Sequence, residues 1–484
     1  MPVAQKLIDG YKKINIQVKV VLWFTFASFL QKGISVITTP IFTRVLSTED
    51  YGLFSVFSSW YMVASIVATL YLHLGVLNNA FIKMKLSKET IVSVSQSLSL
   101  IVSVFCFILC FVFRKPIADF IALPEIVVVV AMFGLIFIEP YRIWLVYKRY
   151  KYEYKASVLV TVLVSFITPI VSVIAIMLIK HNQGVVRIIT YVVVNTILPG
   201  IIFYIINYVK GKKFFHKELW KYSLTFNIPL IPHFLAEVLL NQIDKIMINI
   251  FYGASQAGIY GVAYSVASLA LMFTTALNTA FTPWHYQKLS TGSYEIIAKV
   301  THTIVLVVAV ISGMFMLLAP EIVMLMAGQK YMGAVYLIPA LCAGVFFGYM
   351  YQIYSRVELY YEKKLYTVIS TISATVVNFL LNIILLPKFG YLAAGFSSLV
   401  SHIMFFVLHS IFYKKVCKQF IGDKKIYSDK FILTVSGALL IFAALVTLLY
   451  QFFIARMILA VGIVMLFVVF KSKFVVTVKA LMNK

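Results

Sequence analysis

The chain has 484 residues, of which 62% are hydrophobic and 12% are charged, and its mean hydropathy is +0.96. Because soluble domains carry about 25% charged residues, this composition excludes a soluble fold and predicts an all-α protein embedded in a lipid bilayer. The formal net charge of +25 would suit a nucleic-acid partner, but most of the 42 Lys and Arg residues lie in alternate loops between apolar runs. That distribution is typical of membrane topology, so no nucleic-acid partner is predicted.

Apolar runs of roughly 20 residues recur along the chain, and each is long enough to cross a hydrocarbon core of about 30 Å. The first run follows Lys12, Lys13 and Lys19 and is too long for a signal-peptide core, so we expect it to remain as a span. Together the runs predict about fourteen transmembrane helices, at residues 18–43, 52–74, 91–113, 122–147, 156–179, 186–209, 224–250, 256–284, 297–320, 333–357, 365–386, 391–413, 431–450 and 453–470.

Lys and Arg residues are concentrated in every second loop of this arrangement. The positive-inside rule places those loops, together with both chain termini, in the cytoplasm. A missed or invented helix would invert the alternation downstream of the error, and no inversion occurs. The sequence therefore predicts a multi-pass protein with both termini cytoplasmic.

A short internal repeat indicates two related halves. Residues 47–56 follow the first span and residues 253–262 follow the seventh, and in each a Gly (Gly52, Gly258) opens the next helix with an aromatic residue two positions later. The connector between the halves mixes Lys and aromatic residues, which fits either an amphipathic helix on the anionic inner leaflet or a solvated linker. We predict an N-terminal six-helix lobe, a cytoplasmic connector, a C-terminal six-helix lobe and a loop with two further helices, at residues 1–209, 210–223, 224–413 and 414–484.

Two predicted spans carry stripes of polar residues at helical spacing. Ionisable residues in the membrane cost about 2.5–3.5 kcal/mol each on insertion scales, so they usually face a cavity or a partner. The stripe on the seventh span consists of His233, Glu237, Asn241, Asp244 and Lys245. The stripe on the first span consists of Ser28, Lys32, Ser35 and Thr39. These residues either line a hydrophilic cavity or form pairs between helices that merely satisfy buried groups.

The cavity interpretation assigns a role to each stripe. Lys32 and Lys245 would bind an anionic headgroup, because they are the cations of the two stripes. Glu237 and Asp244 would exchange a proton or a sodium ion. The remaining substrate contacts predicted from these stripes are Ser35, Thr39 and Asn241.

Weaker polar signals occur on three other spans. They are Glu139 and Arg142 on the fourth span, Asn278 on the eighth and Arg356 on the tenth. Glu139 is a third candidate for ion coupling, and Asn278 is a candidate for substrate binding. Arg142 and Arg356 lie toward the inner ends of their spans, so they either contact substrate or anchor the helices at the lipid interface.

No cofactor or metal is predicted. The cysteines form no Cys-x-x-Cys or Cys/His ligand spacing, and they are Cys106, Cys110, Cys342 and Cys417. His402 and His409 are interpreted as packing residues. No segment outside the predicted spans exceeds about 20 residues, and the sequence has neither a P-loop nor a Rossmann glycine pattern. The chain is therefore predicted to be neither an ATP-driven pump nor an enzyme.

Three segments resemble a known family: residues 32–52, residues 227–245 with Gly258 and Tyr260 behind them, and residues 389–395. They are similar to the Wzx-type flippases of O-antigen and capsule repeat units, in the superfamily that also contains MATE drug exporters and lipid II flippases. The resemblance covers essentially the full length. It implies two pseudo-symmetric, MATE-like lobes around a cationic cavity that opens alternately to either side of a bacterial inner membrane.

The resemblance also implies a substrate and partners. The substrate would be an undecaprenyl-pyrophosphate-linked oligosaccharide, and the partners would be the polymerase and chain-length proteins of the same pathway. A MATE-like drug or cation antiporter is the first alternative, but its cavity should be net acidic, whereas the stripes here mix both charges. A membrane-embedded glycan polymerase or acyltransferase is the second, but it would need a cluster of catalytic side chains at one membrane face, and none is found in the sequence.

Overall fold

The computed structural model describes residues 16–422 and 426–469. Over these ranges the chain forms helices joined by short turns, and no strand occurs in them, which confirms the all-α prediction. The α-helices are α1 Ile16–Val45, α2 Thr48–Ala68, α3 Leu77–Lys83, α4 Lys88–Val112, α5 Arg114–Ile121, α6 Glu125–Tyr150, α7 Tyr154–Leu178, α8 Gln183–Tyr191, α9 Leu198–Gly211, α10 Lys217–Asn227, α11 Ile231–Tyr252, α12 Ala254–Ser290, α13 Tyr294–Leu317, α14 Ala319–Met326, α15 Ile338–Tyr360, α16 Lys364–Phe389, α17 Ala393–Phe420, α18 Asp429–Leu445 and α19 Phe453–Val469.

Helices predominate because lipid offers no partner for backbone N–H and C=O groups, which must therefore bond within their own segment. The helix ends carry the expected local signals. Ser87 caps α4 by accepting a hydrogen bond from the Thr90 backbone N at 3.1 Å, and Ser428 caps α18 in the same way. Gly390 ends α16 with a φ of +76°, a conformation that side chains other than Gly rarely adopt.

Eleven helical segments of the described chain are long and apolar enough to cross a membrane. A twelfth span is the pair of helices Gln329–Tyr336 and Ile338–Tyr360, which are bent by 51° relative to each other. The other two predicted runs correspond to α1, which has 30 residues, and to α19, which has 17. The multi-pass prediction is therefore confirmed, whereas the predicted number of fourteen spans is not.

The chain divides into two compact units. The first unit comprises the chain up to Phe42 and Val56–Leu235, and the second comprises Thr43–Ser55 and the chain from Ala236 onward. In the first unit α4 packs against α6 and α9, and in the second α15 packs against α17 and α12. The lobe boundaries drawn from the sequence repeat stay a prediction.

The two repeat glycines lie at one helix crossing inside the second unit, where the first turns of α2 and α12 meet. A Cβ atom on Gly52 would lie 1.7 Å from the Ala254 carbonyl oxygen, and one on Gly258 would lie 2.6 Å from the Thr48 carbonyl oxygen. The Ser255 hydroxyl donates to Thr48 Oγ1 at 2.8 Å beside them. Only glycine allows the two backbones to come this close.

Candidate functional site

Helix α11 carries the longer of the two polar stripes, and the structure divides it. Asp244 and Lys245 are buried in the second unit, with 2% and 7% of their surface exposed. Glu237 and Asn241 are exposed, and the Asn241 side-chain amide donates to the Glu237 carbonyl at 3.0 Å. The same helix therefore carries two exposed polar residues and two buried charged residues.

The Asp244 carboxylate is held by neutral donors. The Tyr260 hydroxyl donates to Oδ2 at 2.7 Å, and Asn382 Nδ2 donates to Oδ1 at 2.7 Å. Asn382 Nδ2 also donates to Asn378 Oδ1 at 2.9 Å, one turn earlier on α16. Within the described ranges Asp244 makes no ion pair. A buried carboxylate with only neutral partners is costly as an anion, so it favours a bound proton or cation.

A cavity of about 120 Å³ lies beside Asp244 inside the second unit, between α11, α12, α15 and α17. This volume corresponds to about four water molecules. Its polar lining residues are Asn241, Asp244, Tyr264, Ser268, Tyr351, Gln352, Ser398 and His402. The cavity joins the exposed Asn241 to the buried Asp244, which gives water or a small cation a polar path to the carboxylate.

Lys245 follows Asp244 in the chain, but its ammonium has other contacts. Lys245 Nζ donates to Gln242 Oε1 at 3.2 Å and lies 4.4 Å from the centre of the Tyr264 ring. These contacts compensate the loss of hydration at the ammonium group. The two charges on α11 are therefore accommodated separately.

Helix α1 carries the second predicted stripe. Lys32 and Ser35 are exposed, whereas Thr39 is buried and its hydroxyl donates to the Ser35 carbonyl at 2.9 Å. No hydrogen bond or ion pair reaches the Lys32 ammonium from any residue between 16 and 422 or between 426 and 469. Lys32 is thus an exposed, uncompensated cation inside a long apolar helix.

Glu139, on α6 of the first unit, is fully buried and surrounded by donors. It accepts hydrogen bonds from the His73 backbone N at 2.9 Å and from the His73 ring at 3.0 Å, and Arg142 Nη1 lies 3.9 Å from its other oxygen. His73 belongs to the turn after α2, in which Leu70 and Tyr71 have φ values of 55° and 49°. Glu139 therefore fixes a turn whose backbone is strained for residues other than glycine.

Arg356 and Asn278, predicted separately on two spans, contact each other. Arg356 Nε donates to Asn278 Oδ1 at 3.1 Å, and the guanidinium lies 4.8 Å from the Phe281 ring centre. Only 4% of Arg356 is exposed. The Arg356 side chain therefore points into the second unit, and both interpretations of Arg356 stay predictions.

Several polar residues of the second unit were missed or misinterpreted in the sequence. His402 lines the Asp244 cavity, and His409 Nδ1 lies 2.9 Å from both carboxylate oxygens of Glu358, so packing alone does not describe these histidines. Asn378 and Asn382 are spaced four residues apart in a predicted span, which is a signal that could have found them. No group of three or more His, Cys, Asp and Glu side chains in the described chain could hold a metal ion.

Comparison with known proteins identifies the class. The family model described as "Polysaccharide biosynthesis protein" matches residues 18–289, which is more than half of the chain. The chain therefore belongs to the polysaccharide biosynthesis protein family. A second model, described as MatE, matches residues 229–384. The two matched ranges overlap over Glu237, Asp244 and Lys245.

Solved structures with the same fold are membrane transporters. The lipid II flippase MurJ, in an inward closed conformation, aligns with a TM-score of 0.72 at 14% identity and covers 93% of this chain and 99% of its own. A MOP superfamily transporter from Pyrococcus furiosus Vc1 (DSM3638) aligns with a TM-score of 0.52 at 15% identity, over 83% of this chain and 96% of its own. These likenesses confirm the predicted MATE-like fold, which the chain shares with known membrane transporters and flippases.

A curated relative adds little about function. It is described as an uncharacterized membrane protein of Haemophilus influenzae (strain ATCC 51907 / DSM 11121 / KW20 / Rd) and is 25% identical over 156 residues. That match covers 30% of this chain, and the chain spans 38% of the relative's length.

Proposed function

We propose that this protein moves an undecaprenyl-pyrophosphate-linked oligosaccharide from the cytoplasmic to the outer leaflet of a bacterial inner membrane by alternating access. The observation that carries the proposal is Lys32, an exposed intramembrane cation that has no partner among the described residues, in a member of the polysaccharide biosynthesis protein family. Such a charge is costly in lipid unless it faces water or an anionic ligand. A pyrophosphate headgroup supplies the matching charge, while its polyprenyl tail stays in the lipid.

Transport against a gradient requires a coupled ion, and Asp244 is the residue we assign to it. Its neutral partners, Tyr260 and Asn382, leave its charge to be balanced by a proton or a sodium ion that enters through the cavity. Glu237 lies exposed two turns earlier on the same helix, where it can attract the ion. Glu139 is already held by hydrogen bonds from His73 and by the Arg142 guanidinium 3.9 Å away, so we assign the role of coupling site to Asp244 rather than to Glu139.

The proposal includes the membrane setting. Both termini lie in the cytoplasm, where the positive loops hold the orientation. The protein supplies a polar path and no bond chemistry, so it is not an enzyme. It works with the polymerase and chain-length proteins that take up the exported repeat unit.

Deleting the gene in its source bacterium tests the proposal. We expect surface polysaccharide to disappear and its lipid-linked repeat unit to accumulate on the cytoplasmic leaflet, with export restored by the intact gene. Normal polysaccharide export combined with new sensitivity to cationic drugs would contradict the proposal and would favour a drug antiporter, the function of the MATE family.

Replacing Lys32 is the sharpest variant of this experiment. We expect Lys32→Ala to abolish export in the deletion strain, because the pyrophosphate loses its counter-charge, and Lys32→Arg to restore it in part. Lys19→Ala, the same substitution near the start of the same helix, is the control and should export normally. Surface polysaccharide at the wild-type level in a well-expressed Lys32→Ala strain would show that Lys32 does not bind the substrate.

A further inference from the structure

The second unit contains another buried acid–base pair, which the proposed transport path does not use. Glu358 lies in the last turn of α15 and His409 lies on α17, and neither side chain is exposed at all. His409 Nδ1 lies 2.9 Å from both Glu358 carboxylate oxygens. We assign the ring proton to Nδ1, which then donates a hydrogen bond to the carboxylate, because an ionised carboxylate only accepts.

The other nitrogen of the same ring has no partner. His409 Nε2 is buried, and no polar atom of the described residues bonds to it. When Nδ1 carries the ring proton and donates it in a hydrogen bond to Glu358, Nε2 of the neutral imidazole has no proton and carries a free lone pair. A proton added to Nε2 converts a neutral imidazole beside a carboxylate, of net charge −1, into an imidazolium–carboxylate pair of net charge zero.

Aromatic side chains connect the pair to the Asp244 cavity. The His409 ring stacks on Tyr351 with ring centres 5.3 Å apart, and Phe405 contacts His409 edge-on at 4.9 Å. Tyr351 and Phe405 both line the cavity that contains Asp244 and His402. The pair thus lies one layer of side chains behind the cavity, inside the same helix bundle.

Several other ionisable groups on the packed helices have partners of their own. Arg356 is bonded to Asn278, and Lys414 is paired with Asp429 at 3.1 Å. His285 contacts the Tyr427 hydroxyl at 2.6 Å, and burial raises the pKa of Tyr427, which keeps that hydroxyl protonated. The remaining ionisable groups on these helices include His302, Tyr354, Lys364, Tyr366, His402, Tyr413 and Cys417. Glu358 and His409 are consequently each other's charge partners.

Stability alone does not account for this pair. A buried ion pair is often no more stabilising than apolar side chains of the same size, and ionisable groups inside a membrane usually act in transport. We propose that the Glu358–His409 pair is a proton-binding site of the transport cycle, which takes up one proton at His409 Nε2 and releases it there. The proposal rests on the proposed function, and it adds a proton site to the cycle beside the ion site that we assign to Asp244. Since Nε2 is buried, exchange with water requires α15 and α17 to move, and this requirement links protonation to conformation.

The first test measures the proton directly and needs no substrate. The full chain is labelled with ¹⁵N-histidine in lipid nanodiscs, and the His409 signals among the 8 histidines are assigned by their loss in His409→Gln. We expect the His409 Nε2 signal to titrate in one step between about pH 5 and 9, and Glu358→Gln to abolish that step. His302→Gln, which changes a histidine with no carboxylate partner, should leave it intact. A His409 signal that is constant over this pH range would overturn the proposal.

The second test links the site to transport in proteoliposomes with a lipid-linked oligosaccharide. For a single protonation step the wild-type transport rate should change up to about tenfold per pH unit on one side of the pH–rate profile. The transport rate of His409→Gln should change less than about twofold over the same pH range. A wild-type pH profile in folded His409→Gln would overturn the site. If His409 titrates but the wild-type protein moves no oligosaccharide, the proton site stands and the proposed function fails.

Discussion

Glu139 in the first unit and Asp244 in the second are both buried carboxylates, and they are held in opposite ways. Glu139 is fully buried and is bonded to both the backbone and the ring of His73, with Arg142 behind it. Asp244 is 2% exposed and is bonded to a hydroxyl and an amide, with a cavity at its side. The comparison separates a carboxylate whose charge is already balanced from one whose charge is left for a mobile ion.

The two environments suit different tasks. Glu139 fixes the turn that contains Leu70 and Tyr71, both in the left-handed region, so its bonds must persist. Asp244 has polar access and no fixed cation, so its charge state can change during a cycle. Burial by itself therefore does not identify a functional carboxylate, and the partners of the carboxylate do.

Asp244→Asn should give the largest effect on transport. We expect the transport rate to fall by at least about a hundredfold, because the amide takes up no proton and has no negative charge to balance a sodium ion, while the loss of stability stays near 1 kcal/mol, roughly the net value of one hydrogen bond. Flipping in proteoliposomes and thermal unfolding measure the two quantities. Asp119→Asn, on an exposed helix, is the matched control. Wild-type transport by Asp244→Asn would show that Asp244 does not couple ion movement to transport, so the proposed difference between Asp244 and Glu139 would be wrong.

Glu139→Ala should give the opposite profile. Removing one member of a buried pair leaves the His73 donors without an acceptor, so we expect the free energy of unfolding to fall by about 3–5 kcal/mol. The transport rate per folded molecule should fall much less than in Asp244→Asn. The fraction folded after heating in detergent measures the first expectation. A stable but transport-dead Glu139→Ala protein would show that Glu139 also belongs to the coupling machinery.

Lys151→Ala should give the smallest effect, because Lys151 pairs at 2.7 Å with Glu89 where both side chains are about one-third exposed. Surface pairs contribute about 0–1 kcal/mol, and added salt weakens them further. Hydrogen bonds that the Lys151 ammonium donates to Glu89 and Tyr147 raise the pKa of Lys151 above its ordinary value. Because the pKa is raised, the pair stabilises the fold at every pH below the ordinary pKa of lysine, and this stabilisation is lost only when Lys151 gives up its proton at higher pH. The difference between the unfolding temperatures of wild type and Lys151→Ala should therefore be the same at pH 6 and at pH 8. A difference that changes between these two pH values would contradict this assignment.

Much of the fold followed from the sequence because lipid leaves few choices. Apolar runs and loop charges predicted helices and spans, whereas the close helix crossing at the repeat glycines Gly52 and Gly258 became visible only in the structure. The number of spans was not confirmed, since Gln451 interrupts the apolar run near residue 450 and the helix pair Gln329–Tyr336 and Ile338–Tyr360 is bent by 51°. Hydropathy does not fix where such a run ends.

The candidate site was less predictable. Spacing on one helix grouped Glu237, Asn241, Asp244 and Lys245, but burial of only the last two depends on α12 and α16, which come later in the chain. Asn382 and Tyr260 became partners of Asp244 only through helix packing. His409 was interpreted as packing because its partner, Glu358, lies 51 residues away. Periodicity within one helix carries no information about such pairs.

The most direct test reconstitutes the full chain in liposomes that contain an undecaprenyl-pyrophosphate-linked oligosaccharide and follows the accessibility of the glycan in each leaflet. We predict that movement between leaflets requires the protein, increases when a proton or sodium gradient is imposed, and is lost in Asp244→Asn but retained in Asp119→Asn. Movement no faster than in protein-free liposomes, with or without either gradient, would contradict the account.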